Sequence, residues 1–235
     1  MAATSPRQLL LGIKLDEDAT FANYYTSEQN QALVDYLQQP AAIRPPRQVL
    51  LWGSPASGRT HLLQALCHQA QADGRDFFYL PLSEKQQLEP QILDGLEALA
   101  LVCLDDLDNV AGDMQWERAL FSFYQRAREA DTLVVAATHQ PPGQAEFQLA
   151  DLASRLQWST VFRLQDLDDN GKVELLRRRA QRLGIDLDPQ VAGYILQHST
   201  RNVGSLLDVL LQLDKQSLEA RRPITIPLVK DVMGW

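Results

Sequence analysis

Two patterns of apolar positions alternate over roughly the first 165 residues of the chain. Short, almost continuous apolar runs suit strands that are buried on both faces, and between them apolar residues recur at helical spacing. The strand-like runs are QVLLWG, FFYLPL, ALVCLDDL, TLVVAAT and TVFRL, and the helical segments are SEQNQALVDYL, THLLQALCHQAQADG, EPQILDGLEAL, MQWERALFSFYQRAREA and LADLASRLQW. Strands that alternate with helices predict an α/β fold, in which helices flank both faces of a parallel sheet.

The pattern changes near residue 165, where the strand-like runs stop. Three helical segments follow, and then a short tail: NGKVELLRRRAQRLG, PQVAGYILQHS, NVGSLLDVLLQLDKQSLEARR and VKDVMGW. We therefore predict an α/β domain over residues 19–165 and a small helical domain over residues 166–235. Residues 1–18 are polar apart from QLLLGI, and we expect an exposed tail there, with an additional edge strand as the alternative.

Composition narrows the class of protein. The chain has 235 residues, of which 45% are apolar, so it can bury a substantial core. Its net charge of −8 provides no overall positive field to attract DNA. The two cysteines lie in apolar stretches, where a thiol usually packs as a small hydrophobe. Two such cysteines form no disulfide framework, so we expect a reducing compartment. We find no signal-peptide pattern and no apolar stretch of membrane-spanning length, and we expect a soluble cytoplasmic protein without a membrane partner.

The segment GSPASGRTHLL lies between a predicted strand and a predicted helix, and it nearly matches the phosphate-binding pattern G-x-x-x-x-G-K-[ST]. Gly53, Gly58 and Thr60 fit, Ser57 lies within the loop, and Arg59 replaces the usual lysine. Backbone N–H groups at such a helix start face phosphate, and the Thr60 hydroxyl would reach a metal ion. Arginine keeps the charge but is planar and bidentate, so we expect binding to be retained more readily than fast hydrolysis. The alternative is an ordinary glycine- and serine-rich turn.

Two other predicted strands end in polar residues that suit the same site. Asp105 and Asp106 follow an apolar run, and ligands bind at the carboxyl ends of strands in open α/β sheets. Asp105 would hold the magnesium shell and Asp106 would polarise a water molecule, unless the pair only caps the next helix. Thr138 and His139 end a further strand, where they would sense a γ-phosphate or simply form a turn before Pro141.

Together these segments resemble the AAA+ ATPases and, more narrowly, the DnaA family of bacterial replication proteins, over essentially the whole chain. The resemblance implies that the helical domain serves as a lid. ATFANYY is similar to the family's segment beside the adenine, which implies nucleotide-binding roles for Phe21 and Tyr24. LASRLQW resembles the arginine-finger motif, which implies that Arg155 acts in trans on ATP bound to DnaA. Without that resemblance, Arg155 would be interpreted as a surface ion-pair partner.

The resemblance is strongest to regulatory members of the family. It implies a protein bound to ADP and Mg²⁺ that stimulates ATP hydrolysis on the DnaA initiator and so inhibits replication initiation. Gly204 occupies the position at which the family places an arginine on the phosphates, with Arg201 three residues earlier, so hydrolysis at the protein's own site is in question. The chain ends at Trp235 without a helix-turn-helix domain, which favours a regulator that meets DNA only indirectly.

The apolar patch near the start of the chain resembles the Gln-Leu-x-Leu peptides that bind the bacterial sliding clamp. In an extended peptide, alternate side chains can enter pockets of a partner. Gln8 would be the polar anchor, and Leu9, Leu11 and Ile13 would be the apolar contacts. We therefore expect the sliding clamp of DNA polymerase III as a second partner. The sequence leaves open whether the protein also forms a homo-oligomer.

Two other functions fit part of the sequence. A helicase-loader-type AAA+ protein would also bind nucleotide and a replication partner, but the QLLLGI patch argues against it. A metabolic P-loop kinase would need phosphate-binding arginines in a substrate lid, and residues 76–100 supply almost none.

Overall fold

The computed structural model describes residues 14–235 of the chain. The chain divides into two compact units, of which the first ends at Gln165 and the second is Asp166–Trp235. The predicted clamp-binding residues lie outside the described part of the chain, so the structure says nothing of them: Gln8, Leu9, Leu11 and Ile13.

The first unit is built on a sheet of five parallel strands in the order β2-β3-β4-β1-β5. The strands are β1 (Gln48–Trp52), β2 (Phe77–Pro81), β3 (Leu101–Asp105), β4 (Leu133–Thr138) and β5 (Thr160–Arg163). Each coincides with one of the apolar runs, so the predicted α/β fold with a parallel sheet is confirmed. All five carboxyl ends meet at one edge of the sheet, which is the edge that binds ligands in open α/β folds.

Four α-helices of the first unit cover both faces of the sheet. They are α1 (Gln31–Leu37), α2 (Arg59–Ala72), α3 (Met114–Glu129) and α4 (Ala150–Gln157). Successive strand residues enter different cores: Leu51 packs with α1 and α2, whereas Leu50 packs with α3 and α4. Burial on both faces explains why strands β1 to β4 are almost continuously apolar. Cys67 and Cys103 lie buried as free thiols in the first of these cores.

One segment of the first unit differs from its predicted structure. EPQILDGLEAL forms two 3-10 turns, Pro90–Leu93 and Leu96–Ala98, instead of an α-helix. Gly95 lies between the turns with a φ of 81°. This left-handed conformation, which glycine adopts readily, interrupts a right-handed helix. Apolar residues at helical spacing were therefore not sufficient evidence for a helix.

The second unit consists of four helices around its own apolar core. They are α5 (Asp169–Arg182), α6 (Pro189–His198), α7 (Val203–Ala220) and α8 (Ile226–Met233). Side chains cap the first three: the oxygens of Asp168, Asp188 and Asn202 accept hydrogen bonds from backbone N–H groups of the first helical turn. No helix within residues 14–235 is long and apolar enough to cross a bilayer.

The prediction of a short tail at the end of the chain is wrong. Residues Ile226–Met233 form helix α8, and Pro227 lies in its first turn, where a missing N–H leaves no intrahelical bond unmade. Val229 is fully buried in the core of the second unit. The predicted tail began at Val229 and so omitted the first turn, which supplies the helical spacing between Ile226 and Val229.

Candidate functional site

The loop Gly53–Gly58, called the phosphate loop below, connects β1 to α2 at the carboxyl edge of the sheet. A side-chain carbon on Gly53 would lie 2.8 Å from the Ser57 hydroxyl oxygen, and Gly58 has a φ of 98°. A side-chain carbon on Gly58 would also lie 2.8 Å from the ring of Tyr24. Glycine is therefore required at both ends of the loop, as the phosphate-binding pattern predicts.

Two buried polar atoms of this region lack a hydrogen-bond partner among residues 14–235. They are the hydroxyl oxygen of Ser57 and Nη1 of Arg59. The Arg59 side chain is only 6% exposed, and its Nη2 lies 3.7 Å from Oδ1 of Asp106. An unsatisfied buried polar group costs about 1–3 kcal/mol, and more when it is charged. The phosphate oxygens of a nucleotide would accept from both groups, so the residues of the loop fit such a ligand.

The two aspartates at the end of β3 have different surroundings. Asp105 is 2% exposed, and its Oδ2 accepts a hydrogen bond of 2.8 Å from the Tyr79 hydroxyl. Its Oδ1 accepts from the backbone N–H of Asp106 at 3.1 Å. The Thr60 side chain is exposed in the first turn of α2. A carboxylate and a hydroxyl are oxygen ligands of the kind that Mg²⁺ prefers, which fits the metal-binding roles predicted for Asp105 and Thr60.

Asp106 adopts the left-handed conformation, with a φ of 51°, directly after the strand. Its Oδ1 lies 3.7 Å from Nη2 of Arg59 and 3.8 Å from Nε2 of His139. Burial and the neighbouring Asp105 raise the pKa of Asp106, while Arg59 and His139 oppose that shift. The carboxylate predicted to polarise water is therefore engaged by two basic side chains.

The end of β4 contains a contact that the sequence analysis missed. His139 bonds to Asp108 twice, through its backbone N–H at 3.1 Å and through its ring Nδ1 at 3.0 Å. Asp108 is the third acidic residue of LDDLD, and this run of acidic residues at the strand end was the signal from which a contact of Asp108 could have been predicted. Thr138 is fully buried, and its hydroxyl donates to the Gln140 carbonyl at 2.7 Å. This bond stabilises the turn that was the alternative interpretation of Thr138.

The predicted adenine-side residues lie in the segment that precedes α1. The Tyr24 ring lies against Gly58 and is 5.4 Å, centroid to centroid, from the ring of His61. Burial raises the pKa of Tyr24 to about 12, so the phenol stays neutral. Phe21 is partly buried and packs against the core that contains α2. The structure thus brings Tyr24 to the phosphate loop, and Phe21 lies three residues earlier in the same segment.

Arg155 lies in the last turn of α4, and its guanidinium carbon is 4.9 Å from the centroid of the Phe121 ring on α3. Its Nη1 is buried and has no hydrogen-bond partner among residues 14–235. Three residues later, Trp158 is 69% exposed. The structure therefore places Arg155 against an aromatic ring of α3, next to an exposed tryptophan.

In the second unit, Gly204 is the second residue of α7, and a glycine has no side chain with which to contact a phosphate. Arg201 precedes the helix and forms a 3.3 Å ion pair with Asp169 of the same unit. Both side chains of this pair are more than half exposed, so the pair contributes little to stability.

Two protein-family models match the chain. Residues 49–163 match the family of ATPases associated with various cellular activities, and residues 169–233 match the lid domain of Hda.

Solved structures of replication and recombination proteins have a similar fold. Domain III of the replication initiation protein DnaA from Thermotoga maritima superposes with a TM-score of 0.79 at 16% identity, covering 94% of this chain and 98% of that one. DnaA from Aquifex aeolicus bound to AMPPCP gives 0.74 at 18% identity, covering 87% and 68%. The RuvB branch-migration motor of Thermotoga maritima gives 0.67 at 15% identity, covering 92% and 73%. At these identities the similarity shows the fold alone.

Proposed function

Because the chain belongs to the Hda-type, DnaA-related AAA+ proteins, we propose that it is a negative regulator of the initiation of chromosomal replication. With ADP and Mg²⁺ bound, the protein acts together with the DNA-loaded sliding clamp and stimulates hydrolysis of the ATP bound to DnaA. It acts in the cytoplasm and meets DNA only through its partners.

The observation that carries the proposal is the pair of unsatisfied buried atoms on Ser57 and Arg59. Ser57 lies in the phosphate loop and Arg59 directly follows it, and a diphosphate would accept hydrogen bonds from both. The residues proposed to hold the nucleotide are Gly53, Ser57, Gly58, Arg59 and Thr60 at the phosphates, and Phe21 and Tyr24 at the adenine. Thr138 is left out, because its buried hydroxyl already donates to the Gln140 carbonyl. Thr60 and Asp105 would hold the metal ion, which would neutralise phosphate charge.

Slow hydrolysis at the protein's own site follows from the contacts of Asp106. A carboxylate that orients or polarises water must be free to accept its hydrogen bond. Here Nη2 of Arg59 and Nε2 of His139 lie 3.7 Å and 3.8 Å from Oδ1 of Asp106, so both side chains occupy part of the space in which a water molecule would have to bind. Gly204 removes the lid arginine that the family would contribute. These features support a site that retains ADP.

Arg155 is proposed to act on the ATP of DnaA. The residue is partly exposed at the end of α4, and the Phe121 ring lies 4.9 Å from its guanidinium carbon. An arginine that is positioned but not satisfied within its own chain suits a charge that develops on a neighbouring protein. The exposed ring of Trp158 next to it supplies an apolar contact of the kind that anchors protein partners.

A reconstituted assay tests this proposal: ATP-bound DnaA, clamp loaded on DNA and the ADP-bound protein are mixed, and phosphate release is followed. Arg155→Ala should lower the stimulation by about 10³-fold or more, because a trans-acting arginine contributes at least that much to phosphoryl transfer. ADP affinity, measured by calorimetry, should stay unchanged.

The matched control is Arg128→Ala, which removes an exposed arginine from α3, two turns beyond Phe121. This variant should stimulate DnaA like the parent protein. Equal stimulation by Arg155→Ala and the parent would refute the trans-acting role, and failure of the parent protein to bind ADP would refute the proposed nucleotide site.

Clamp binding is proposed from the sequence of residues 8–13 and has its own test. Three apolar side chains on an extended peptide would enter pockets of the clamp, each contributing about 1.5–3 kcal/mol if fully buried. The combined change Gln8→Ala with Leu9→Ala should abolish binding to immobilised clamp in surface plasmon resonance and leave ADP affinity unchanged. Undiminished clamp binding by this double variant would remove the basis for coupling to replication.

A further inference from the structure

A buried hydrogen-bond chain ends on the carboxylate proposed to hold the metal ion. The Tyr79 hydroxyl, on β2, donates to Oδ2 of Asp105 at 2.8 Å, and Nε2 of Gln64, on α2, donates to that hydroxyl at 3.4 Å. All three residues are at most 9% exposed. Water therefore has little access to the chain, and its bonds act in a medium of low polarity.

The backbone of Asp16, in the segment that precedes α1, fixes the orientation of the Gln64 amide. Its Oε1 accepts a 2.8 Å hydrogen bond from the backbone N–H of Asp16. Since a backbone N–H can only donate, the amide must turn its oxygen towards Asp16 and its NH₂ group towards Tyr79. The tyrosine hydroxyl has a single hydrogen, and because it accepts from Gln64 it is free to donate that hydrogen to Asp105. Every bond in the chain thus points in one direction.

The segment that supplies Asp16 is held along one face of α2. The carbonyl oxygen of Asp16 lies 2.9 Å from Nε2 of His68, and that of Thr20 lies 2.8 Å from Nε2 of His61. His61, Gln64 and His68 follow one another by three and four residues, which is the spacing of one helix face. Three side chains of α2 therefore dock residues 16–20, and the middle one continues inwards to Asp105.

We propose that Tyr79 and Gln64 are positioning residues that hold the Asp105 carboxylate in the orientation needed to bind Mg²⁺. The inference rests on the proposed nucleotide site and extends it to residues of β2, α2 and the N-terminal segment. Buried partners of this kind orient metal-binding side chains, and their removal weakens metal affinity by about 10- to 100-fold. A bond that only satisfied buried polar atoms would affect stability without affecting the metal.

Tyr79→Phe tests the proposal, because it removes one hydroxyl and keeps the ring. ADP affinity is measured by calorimetry over a Mg²⁺ titration and in EDTA. The variant should need at least tenfold more Mg²⁺ for half of the metal-dependent gain in ADP affinity. Its ADP affinity in EDTA should equal that of the parent protein. Gln64→Met should shift the Mg²⁺ requirement in the same direction by a smaller factor, because Tyr79 keeps its own bond to Asp105.

Two controls separate positioning from stability. Tyr124→Phe makes the same chemical change at a buried tyrosine in the core on the other face of the sheet, and it should leave the Mg²⁺ requirement unchanged. Asp105→Asn should remove most of the metal response, and adding Tyr79→Phe to it should have no additional effect, since the hydroxyl acts through that carboxylate.

The outcomes distinguish the two proposals. If the parent protein fails to bind ADP, the proposed function fails. If ADP binds and Asp105→Asn loses the metal response while Tyr79→Phe and Gln64→Met keep the parent's Mg²⁺ requirement, only the positioning role is overturned.

Discussion

Arg59 and Arg155 show how the same side chain serves two different regions of this molecule. Each has a buried Nη1 without a hydrogen-bond partner among residues 14–235. Arg59 lies in the first turn of α2, where the carboxylate of Asp106 is 3.7 Å away and the side chain is almost entirely enclosed. Arg155 lies against the ring of Phe121, next to the exposed Trp158.

This difference indicates what each arginine is prepared to bind. At Arg59, the guanidinium is enclosed within the domain and lies 3.7 Å from the carboxylate of Asp106, so a ligand bound to the same chain would complete its hydrogen bonds. At Arg155, the guanidinium lies against an aromatic ring on a partly exposed residue, so a turn of the side chain would bring it to an acceptor on another protein. The first region is proposed to bind nucleotide, and the second to act in trans.

Lysine substitutions should separate the two arginines most strongly. Arg155→Lys should lower the stimulation of DnaA on the order of 10²-fold or more, because lysine keeps the charge but loses the planar, bidentate guanidinium. Arg59→Lys restores the residue usual in phosphate loops and should keep ADP affinity within a few fold. Phosphate release and calorimetry measure the two effects. Full stimulation of DnaA by Arg155→Lys would contradict the trans-acting role, and loss of ADP by Arg59→Lys would show that the phosphate loop requires the guanidinium itself.

Gly58→Val should damage the nucleotide region alone. Valine would be strained at a φ of 98°, and its Cβ would lie 2.8 Å from the Tyr24 ring. If the loop leaves its binding conformation to relieve strain of about 2–3 kcal/mol, ADP affinity falls by about 30- to 150-fold. Gly74→Val is the control, since Gly74 shares a positive φ of 66° but has no atom within 4 Å of the place where a side-chain carbon would lie. That variant should lower the melting temperature and retain ADP; equal ADP loss in both variants would point to a general folding defect.

Trp158→Ala should have the smallest effect, and only on the second region. Loss of an exposed aromatic anchor typically costs about 1–2 kcal/mol of binding, so about tenfold more protein should be needed for half-maximal stimulation of DnaA. Leu218→Ala is the control, because Leu218 on α7 is equally exposed, at 71%. An unchanged requirement after Trp158→Ala, or an equal change after Leu218→Ala, would show that the ring is not a specific contact.

Much of the fold could be predicted because its signals are local. Strands β1 to β4 are almost continuously apolar, and α3 shows regular helical spacing, so both were recognised within single windows of sequence. The errors arose where a local signal was incomplete. Gly95 breaks a segment that has helical spacing, and the first turn of α8 was left out of the predicted tail. At Gly95 the left-handed backbone outweighed the apolar pattern, whereas at α8 the helical spacing was present but began before the segment that was considered.

The sequence by itself determined the order of strands and helices along the chain, the position of the phosphate loop and the two aspartates at the end of β3. These features depend only on neighbouring residues. Only the tertiary structure decided which side chains meet. The hydrogen bonds that link Asp16, Gln64, Tyr79 and Asp105 span 48, 15 and 26 positions, and the contact between His139 and Asp108 spans 31 positions. Such contacts leave no periodic trace in the sequence, since they arise only when the parallel strands bring their carboxyl ends to one edge and α2 packs beside them.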